Sequence, residues 1–115
     1  MSPKSHKRAR SPRPQQAILF AALGDDTRLA LMAKLVSGKP ASIAQLGAGS
    51  SLTRQAITKH LRVLERAGLV HSVRSGRERQ FAFDPRPLHA MQHYLVRVSQ
   101  QWDQALVRLK SFVET

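Results

Sequence analysis

The stretch from Thr53 to Gly68 restricts the fold more than any other part of the chain. Ile57, Leu61 and Leu64 recur there at spacings of four and three, which puts them on one side of a helix and obliges that side to be buried. Thr53 supplies an N-cap oxygen, and Gly68 suits the left-handed conformation in which a helix stops. The opposite side carries Gln55, Lys59, Arg62 and Arg66, with Thr58 on its flank. Such a helix must lie on the surface of a small core with its amides and cations turned outward. Alone, that face reads as an ordinary solvated one; the flanking segments change the reading.

Upstream, "QQAILFAALG" reads as a short helix ending near Gly24, where a glycine can turn left-handed. "DDTRLALMAKLVSG" reads as a second, with Leu29, Met32, Ala33, Leu35 and Val36 as its apolar stripe. Asp25 or Asp26 caps it, because adjacent carboxylates at a helix start serve the free N–H groups and the dipole, not acid–base chemistry. Pro40 restricts its predecessor, and "SIAQ" from Ser42 to Gln45 matches a capping box. The helix it opens is short, since "GAGSS" at Gly47 to Ser51 re-aims the chain. Two short helices joined by a glycine-containing turn, the second presenting amides and cations near its start, form a helix-turn-helix suited to a major groove.

After Gly68, "LVHSVRSGRERQFAFD" alternates apolar and polar residues, turns at Ser75 and Gly76, and returns through Phe81 and Phe83. This is a β-hairpin whose tip carries Arg74, Arg77 and Arg79 against Glu78 alone. Phe81 and Phe83, two apart, read as core residues and not as a platform for stacked bases. The expected fold is mainly α with a two-stranded hairpin wing, in the order α-α-α-α-β-β-α, the recognition helix at about 54–67 and the wing at about 69–83.

Composition narrows the partners. Lysine and arginine number 19 against 7 acidic residues, a formal charge of +12 on 115 residues, which favours a polyanion, nucleic acid ahead of anionic membrane. No apolar run approaches the roughly 20 residues that span a bilayer, and no apolar stretch follows the cationic N-terminus as a secretory signal requires, so a cytoplasmic protein is expected. Residues 1–14, "MSPKSHKRARSPRP", hold Lys4, Lys7, Arg8, Arg10 and Arg13 with too little apolar surface to fold. They are expected to be a disordered basic tail, a solubilising leader or an arm along phosphates. One domain then covers 15–115. Cysteine is absent, which removes disulfides and thiolate metal sites. With no Ser–His–Asp set, no phosphate loop and no carboxylate pair away from a cap, an enzyme is not expected.

From Pro87 onward Leu88, Met91, Leu95, Val98, Trp102, Ala105, Leu109 and Phe112 recur at alternating spacings of three and four. Tyr94, Leu106 and Val113 widen the stripe. It is long for an internal core, so it predicts a homodimer in which the last helix meets its partner beside the first helix, with Ile18, Leu19 and Phe20. Two-fold pairing would set the recognition helices about 34–36 Å apart and so predicts an inverted-repeat site.

"LGDDTRLALMAKL" and "SLTRQAITKHLRVLERAGLVHSVRSGRERQFAF" together resemble the opening helix, recognition helix and wing of the ArsR/SmtB family of winged-helix repressors, over about Gln15 to Phe83. The resemblance implies a homodimer on a partly palindromic double-stranded DNA operator. It also implies that Thr53, Arg54, Gln55, Thr58, Lys59 and His60 occupy the recognition positions. Gln55 and Thr58 suit base edges, Arg54 suits guanine, and Lys59, Arg62 and the wing arginines suit phosphates. Metal sensing, common in this family, does not fit. Ser42 and Ala44 stand where the family's cysteine box falls, Pro87 replaces a ligand of the last-helix site, and Gln100 and Gln104 follow His89 and His93 where ligands are needed. A cofactor-free, metal-independent regulator is expected, and the residues single out no effector, small molecule or protein. Two other classes fit the charge and the stripe: a sequence-indifferent nucleoid or RNA-binding protein, and a protein-interaction module using the last helix.

Overall fold

One cap and one arginine fix the first pair of helices in the computed structural model, which describes residues 15–114; the basic tail expected at residues 1–14 lies outside them. Helix α1 (Gln15–Leu23) buries Leu19 and Ala22. Helix α2 (Asp26–Val36) is capped by Asp25, whose carboxylate accepts from the Arg28 N–H at 3.0 Å. The Arg28 guanidinium reaches back to the open end of α1 and donates to Ala22 O at 2.6 Å and Ala21 O at 3.3 Å. These bonds satisfy carbonyls that a helix end otherwise leaves free, and they set the rotation of α2. Leu31, Met32 and Leu35 turn inward, so the expected stripe is corrected: Leu31, outside it, is buried, whereas its members Leu29, Ala33 and Val36 are exposed, Leu29 and Val36 by about half. Apolar residues surround most of this helix, so their period alone allowed more than one buried face. Gly24 also departs from expectation: its φ is not positive, and a Cβ there would lie 3.2 Å from Phe20 O.

The predicted capping box is present. Ser42 Oγ accepts from the Gln45 N–H at 3.2 Å, and Gln45 Oε1 accepts from the Ser42 N–H at 2.9 Å. It starts helix α3 (Ile43–Gly47), whose Leu46 carbonyl accepts from Lys34 Nζ at 2.9 Å. At Gly47 a Cβ would lie 2.7 Å from Ile57 Cδ1, so a larger residue would force the buried Ile57 side chain of helix α4 (Arg54–Arg66) to shift. Helix α4 ends at Gly68, which adopts φ 80° while the Leu69 N–H donates to Leu64 O at 3.0 Å.

Strands β2 (Val70–Ser75) and β3 (Glu78–Phe83) form the wing, joined by Gly76 and Arg77, with Gly76 at φ 65°. Their register runs from Val70 opposite Phe83 to Ser75 opposite Glu78. The sheet also holds a third strand, β1 (Ala41–Ser42), antiparallel to β3 with Ala41 opposite Phe81. Two residues are too few to show the alternation that marks a strand in sequence.

A single core joins these pieces. Leu19, Leu31, Leu35 and Leu46 meet Ile57, Leu61 and Leu64 of α4, and Leu69, Val70, Phe81 and Met91 close the far side. Each large apolar side chain so enclosed stabilises by roughly 1.5–3 kcal/mol. Helix α5 (Arg86–Glu114) leaves this body: it is about 43 Å long at 1.5 Å per residue, it packs on the core through Met91 and Leu88, and residues 99–114 are all exposed.

Candidate nucleic-acid interface

Helix α4 is held by its apolar side and displays the other. Ile57, Leu61 and Leu64 are at most 1% exposed, and the Thr53 hydroxyl caps the helix by accepting from the Ala56 N–H at 3.0 Å. Thr53 therefore serves the helix itself. Arg54, Gln55, Thr58, Lys59 and Arg62 line one shallow concave face. No hydrogen bond joins the Arg54, Gln55, Lys59 or Arg62 side chain to another described residue, so their donors are open to a partner. Thr58 is different. Its hydroxyl donates to Arg54 O at 2.8 Å, one turn back along the helix.

His60 does not belong to this face. Five residues beyond Gln55, it is turned about 140° around the helix at 100° per residue, toward the start of α2. Its Nδ1 lies 3.2 Å from Arg28 Nη1 and 3.8 Å from Asp25 Oδ2. Arginine can only donate, so Nδ1 accepts. Asp25 is held below the ordinary carboxylate range, chiefly by the backbone N–H of Arg28, with the Arg28 charge adding electrostatic help. His60 thus joins the packing of α4 on α2, contrary to its expected place among the DNA contacts.

The wing brings its cations beside the same helix. Arg54 shares a cleft with Arg77, Glu78, Arg79 and Ser42–Ala44, in which Glu78 is the one carboxylate among the described residues. Arg74 lies directly opposite Arg79 in the register, and like charges facing each other across a strand pair are unfavourable without an anion. Arg79 is partly committed: its Nη1 donates to Ser72 Oγ at 2.8 Å, and Ser72 Oγ donates to Glu65 Oε2 at 3.2 Å, tying the wing to α4.

The residues expected at a dimer contact divide into two groups. Leu19 and Met91 are corrected: at 0% and 6% exposure they belong to the protomer's own core, and Ile18 and Leu88 are half-buried against it. Phe20 is partly exposed and packs on Tyr94, with ring centroids 6.1 Å apart, while the Arg97 guanidinium lies over the Tyr94 ring at 5.8 Å. Leu95, Trp102, Leu109 and Phe112 remain 48–78% exposed, and Val98 is half-buried. Such apolar exposure along one helix marks an interaction surface.

Two residues that sequence reasoning passed over organise the site from behind. Arg28 locks α2 to α1 and to His60. Asp84, 7% exposed, gathers His71 and Arg86 at the junction of β3 and α5. Its carboxyl is held far below the ordinary range, first by the side-chain hydrogen bonds of Arg86, then by the Arg86 N–H and His71. The signal in the sequence was "FDPR", an aspartate before a proline at a helix start. Among the described residues, no group of three His, Cys, Asp or Glu side chains could hold a metal ion, and no helix is long and apolar enough to cross a membrane. His89 and His93 stand exposed on α5.

Comparison with known proteins agrees with this geometry. A helix-turn-helix domain family matches residues 23–73. The HTH-type transcriptional regulator YuzN of Bacillus subtilis is 42% identical over 76 residues, 61% of this chain and 83% of that protein. An ArsR-like transcriptional regulator from Rhodococcus sp. RHA1 superposes with a TM-score of 0.73 at 35% identity, over 85% of this chain and 92% of that one. The homodimeric winged helix-turn-helix DNA-binding domain of Mb0332 from Mycobacterium bovis shares the fold at 16% identity, with a TM-score of 0.61 over 90% of this chain and 93% of its own. An outward cationic helix, a wing beside it and these relatives lead to one conclusion: the chain belongs to the ArsR family of winged helix-turn-helix DNA-binding transcriptional regulators.

Proposed function

We propose that this regulator is a homodimeric, sequence-specific repressor that inserts α4 into the major groove and lays its wing on the flanking backbone. The observation that carries the reading is the face of Arg54, Gln55, Lys59 and Arg62, whose side chains have no hydrogen bond to another described residue and which is continuous with Arg77 and Arg79. Gln55 meets a base edge through its amide, which can bond adenine bidentately. Thr58 meets a second base edge. Arg54 reads guanine or joins the wing arginines on a phosphate. Lys59, Arg62, Arg74, Arg77 and Arg79 take phosphates, which fix register. Repression follows if the bound dimer occludes a promoter, and no metal enters this reading.

Dimerisation through the solvent-exposed apolar side of α5, with Phe20 and Tyr94 at its edge, is supported by the exposed apolar residues there and by the homodimeric fold relative. A two-fold dimer would carry its recognition helices to successive major grooves on one side of the duplex, so the operator is an inverted repeat.

The test is selection of binding sites from random duplexes with the purified chain, with and without chelator. Recovery of an inverted repeat, insensitive to chelator and bound far more tightly than random DNA, is the expected result. A selected-to-random affinity ratio near one at physiological salt would instead establish sequence-indifferent binding. Replacing Gln55 with Ala should cost about 1–3 kcal/mol at one base pair of each half-site and relax the preference there. Unchanged discrimination would remove Gln55 from the readout.

A further inference from the structure

The junction where α4, the wing and α5 meet is organised around one carboxylate. We propose that Asp84 is a positioning residue for DNA binding, fixing the angle at which the wing cations meet the duplex relative to α4 and α5. This role rests on the proposed function, in which the wing touches DNA.

Asp84 reaches all three elements. Its backbone N–H donates to Leu69 O at 2.9 Å, and the Leu69 N–H in turn closes the end of α4 on Leu64 O. Its Oδ1 accepts from the Arg86 N–H and Nε, each at 3.0 Å, and its Oδ2 accepts from Arg86 Nη2 at 2.7 Å, at the first turn of α5. The same Oδ2 lies 2.6 Å from Nε2 of His71 on β2. An ionised carboxylate only accepts, so it fixes the His71 proton on Nε2.

The placement grips the wing root from both faces. Val70 and Phe81 of the sheet's inner face are buried in the core. His71 lies on the outer face, where Asp84 and the start of α5 hold it. Asp84 and Pro85 are the whole connection between β3 and α5, and the proline ring fixes its own φ. The groups gathered here add little to the apolar core, since the side chains of His71 and Arg86 are 54% and 82% exposed. Their bonds instead select one geometry, as satisfied polar networks do. The wing root and α5 thereby form one body, so a displacement of α5 carries the Arg74, Arg77 and Arg79 tip with it.

The test uses the full chain and a fluorescein-labelled duplex recovered by selection with the wild type, with anisotropy titrations over a salt series. Two variants disconnect the junction. Asp84→Asn keeps the shape but removes the charge, and His71→Ala cuts only the strand tie at a half-exposed position. Each is also placed in a background carrying Arg74→Ala, Arg77→Ala and Arg79→Ala. In the wild-type wing, each junction variant should weaken binding about tenfold, within the range seen for coupled residues. The slope of log affinity against log salt should also fall by about 0.9 for each phosphate that the wing no longer neutralises. In the triple-Ala wing the same variants should add less than about twofold, because the cations they position are gone. Sedimentation establishes that the variants pair as the wild type does, and thermal melting that they are folded at the temperature of the titrations.

An equal loss in both backgrounds, or no loss from His71→Ala in the intact wing, overturns the proposal while leaving the regulator reading in place. Failure of the wild type to bind any duplex, or of the triple-Ala wing to weaken binding, overturns the reading and the proposal together.

Discussion

Replacing Trp102 with Ala offers a direct test of the dimer, because its cost should appear in association and nowhere else. Trp102 is 67% exposed, on the half of α5 where residues 99–114 are all exposed. A tryptophan side chain offers roughly 150–250 Å², so about 100–170 Å² of it is open to a partner. At about 25 cal/mol per Å², covering that surface stabilises by ~2.5–4 kcal/mol per protomer. Two-fold symmetry applies the loss twice. Allowing for incomplete coverage, the dimer should weaken by ~4 kcal/mol, about a thousandfold in its dissociation constant. Sedimentation velocity over a dilution series measures this, with the wild type as reference. The protomer should keep its melting behaviour at concentrations where both chains are monomeric. An unchanged dissociation constant would refute the assignment of this face, and a large fall in monomer stability would show that Trp102 packs inside its own protomer.

Other consequences can be measured separately. His60→Ala should leave affinity for a selected duplex within about twofold, because its ring faces Arg28 and Asp25 and not the outward face; a loss as large as that of Lys59→Ala would return it to the interface. Leu61→Ala, at a position with no exposed surface, should cost about 2–5 kcal/mol in chemical denaturation and lower DNA binding only through the unfolded fraction. Asp25 and Asp84 both hold folded pKa values below their unfolded ones. Their stabilisation is therefore complete above the ordinary carboxylate range and is lost as pH falls below about 4. Asp84→Asn should flatten that acid limb in a stability–pH profile, and an unchanged profile would mean that Asp84 gains nothing from its partners.

Much of this molecule was legible because its signals are local. The capping box at Ser42 and Gln45 and the stop at Gly68 each involve residues a few positions apart, and the structure contains both. The face of α4 was equally legible, since charges and aliphatics there leave only one side that can be buried. Helix α2 lacked that contrast, so its rotation awaited the Arg28 contacts with α1. A continuous stripe does not divide itself between its own core and a neighbour's surface, so the period of α5 assigns Met91 to the partner, and Leu19 follows it from α1, although both fill the protomer's core. His60 was carried by motif position while its angle around the helix pointed elsewhere. Asp84 was missed because its meaning depends on His71, thirteen residues away across a hairpin whose register the sequence leaves open.

The inward bond of Thr58 limits what the operator can contain. A hydroxyl that has already committed its hydrogen to a main-chain oxygen offers a duplex only lone pairs and a methyl group. Guanine shows nothing but acceptors at its major-groove edge, whereas adenine and cytosine present amino hydrogens and thymine a methyl. The base touched at that point should therefore be adenine or cytosine, met through its exocyclic amine, or thymine, met through its methyl, leaving guanine to the arginines.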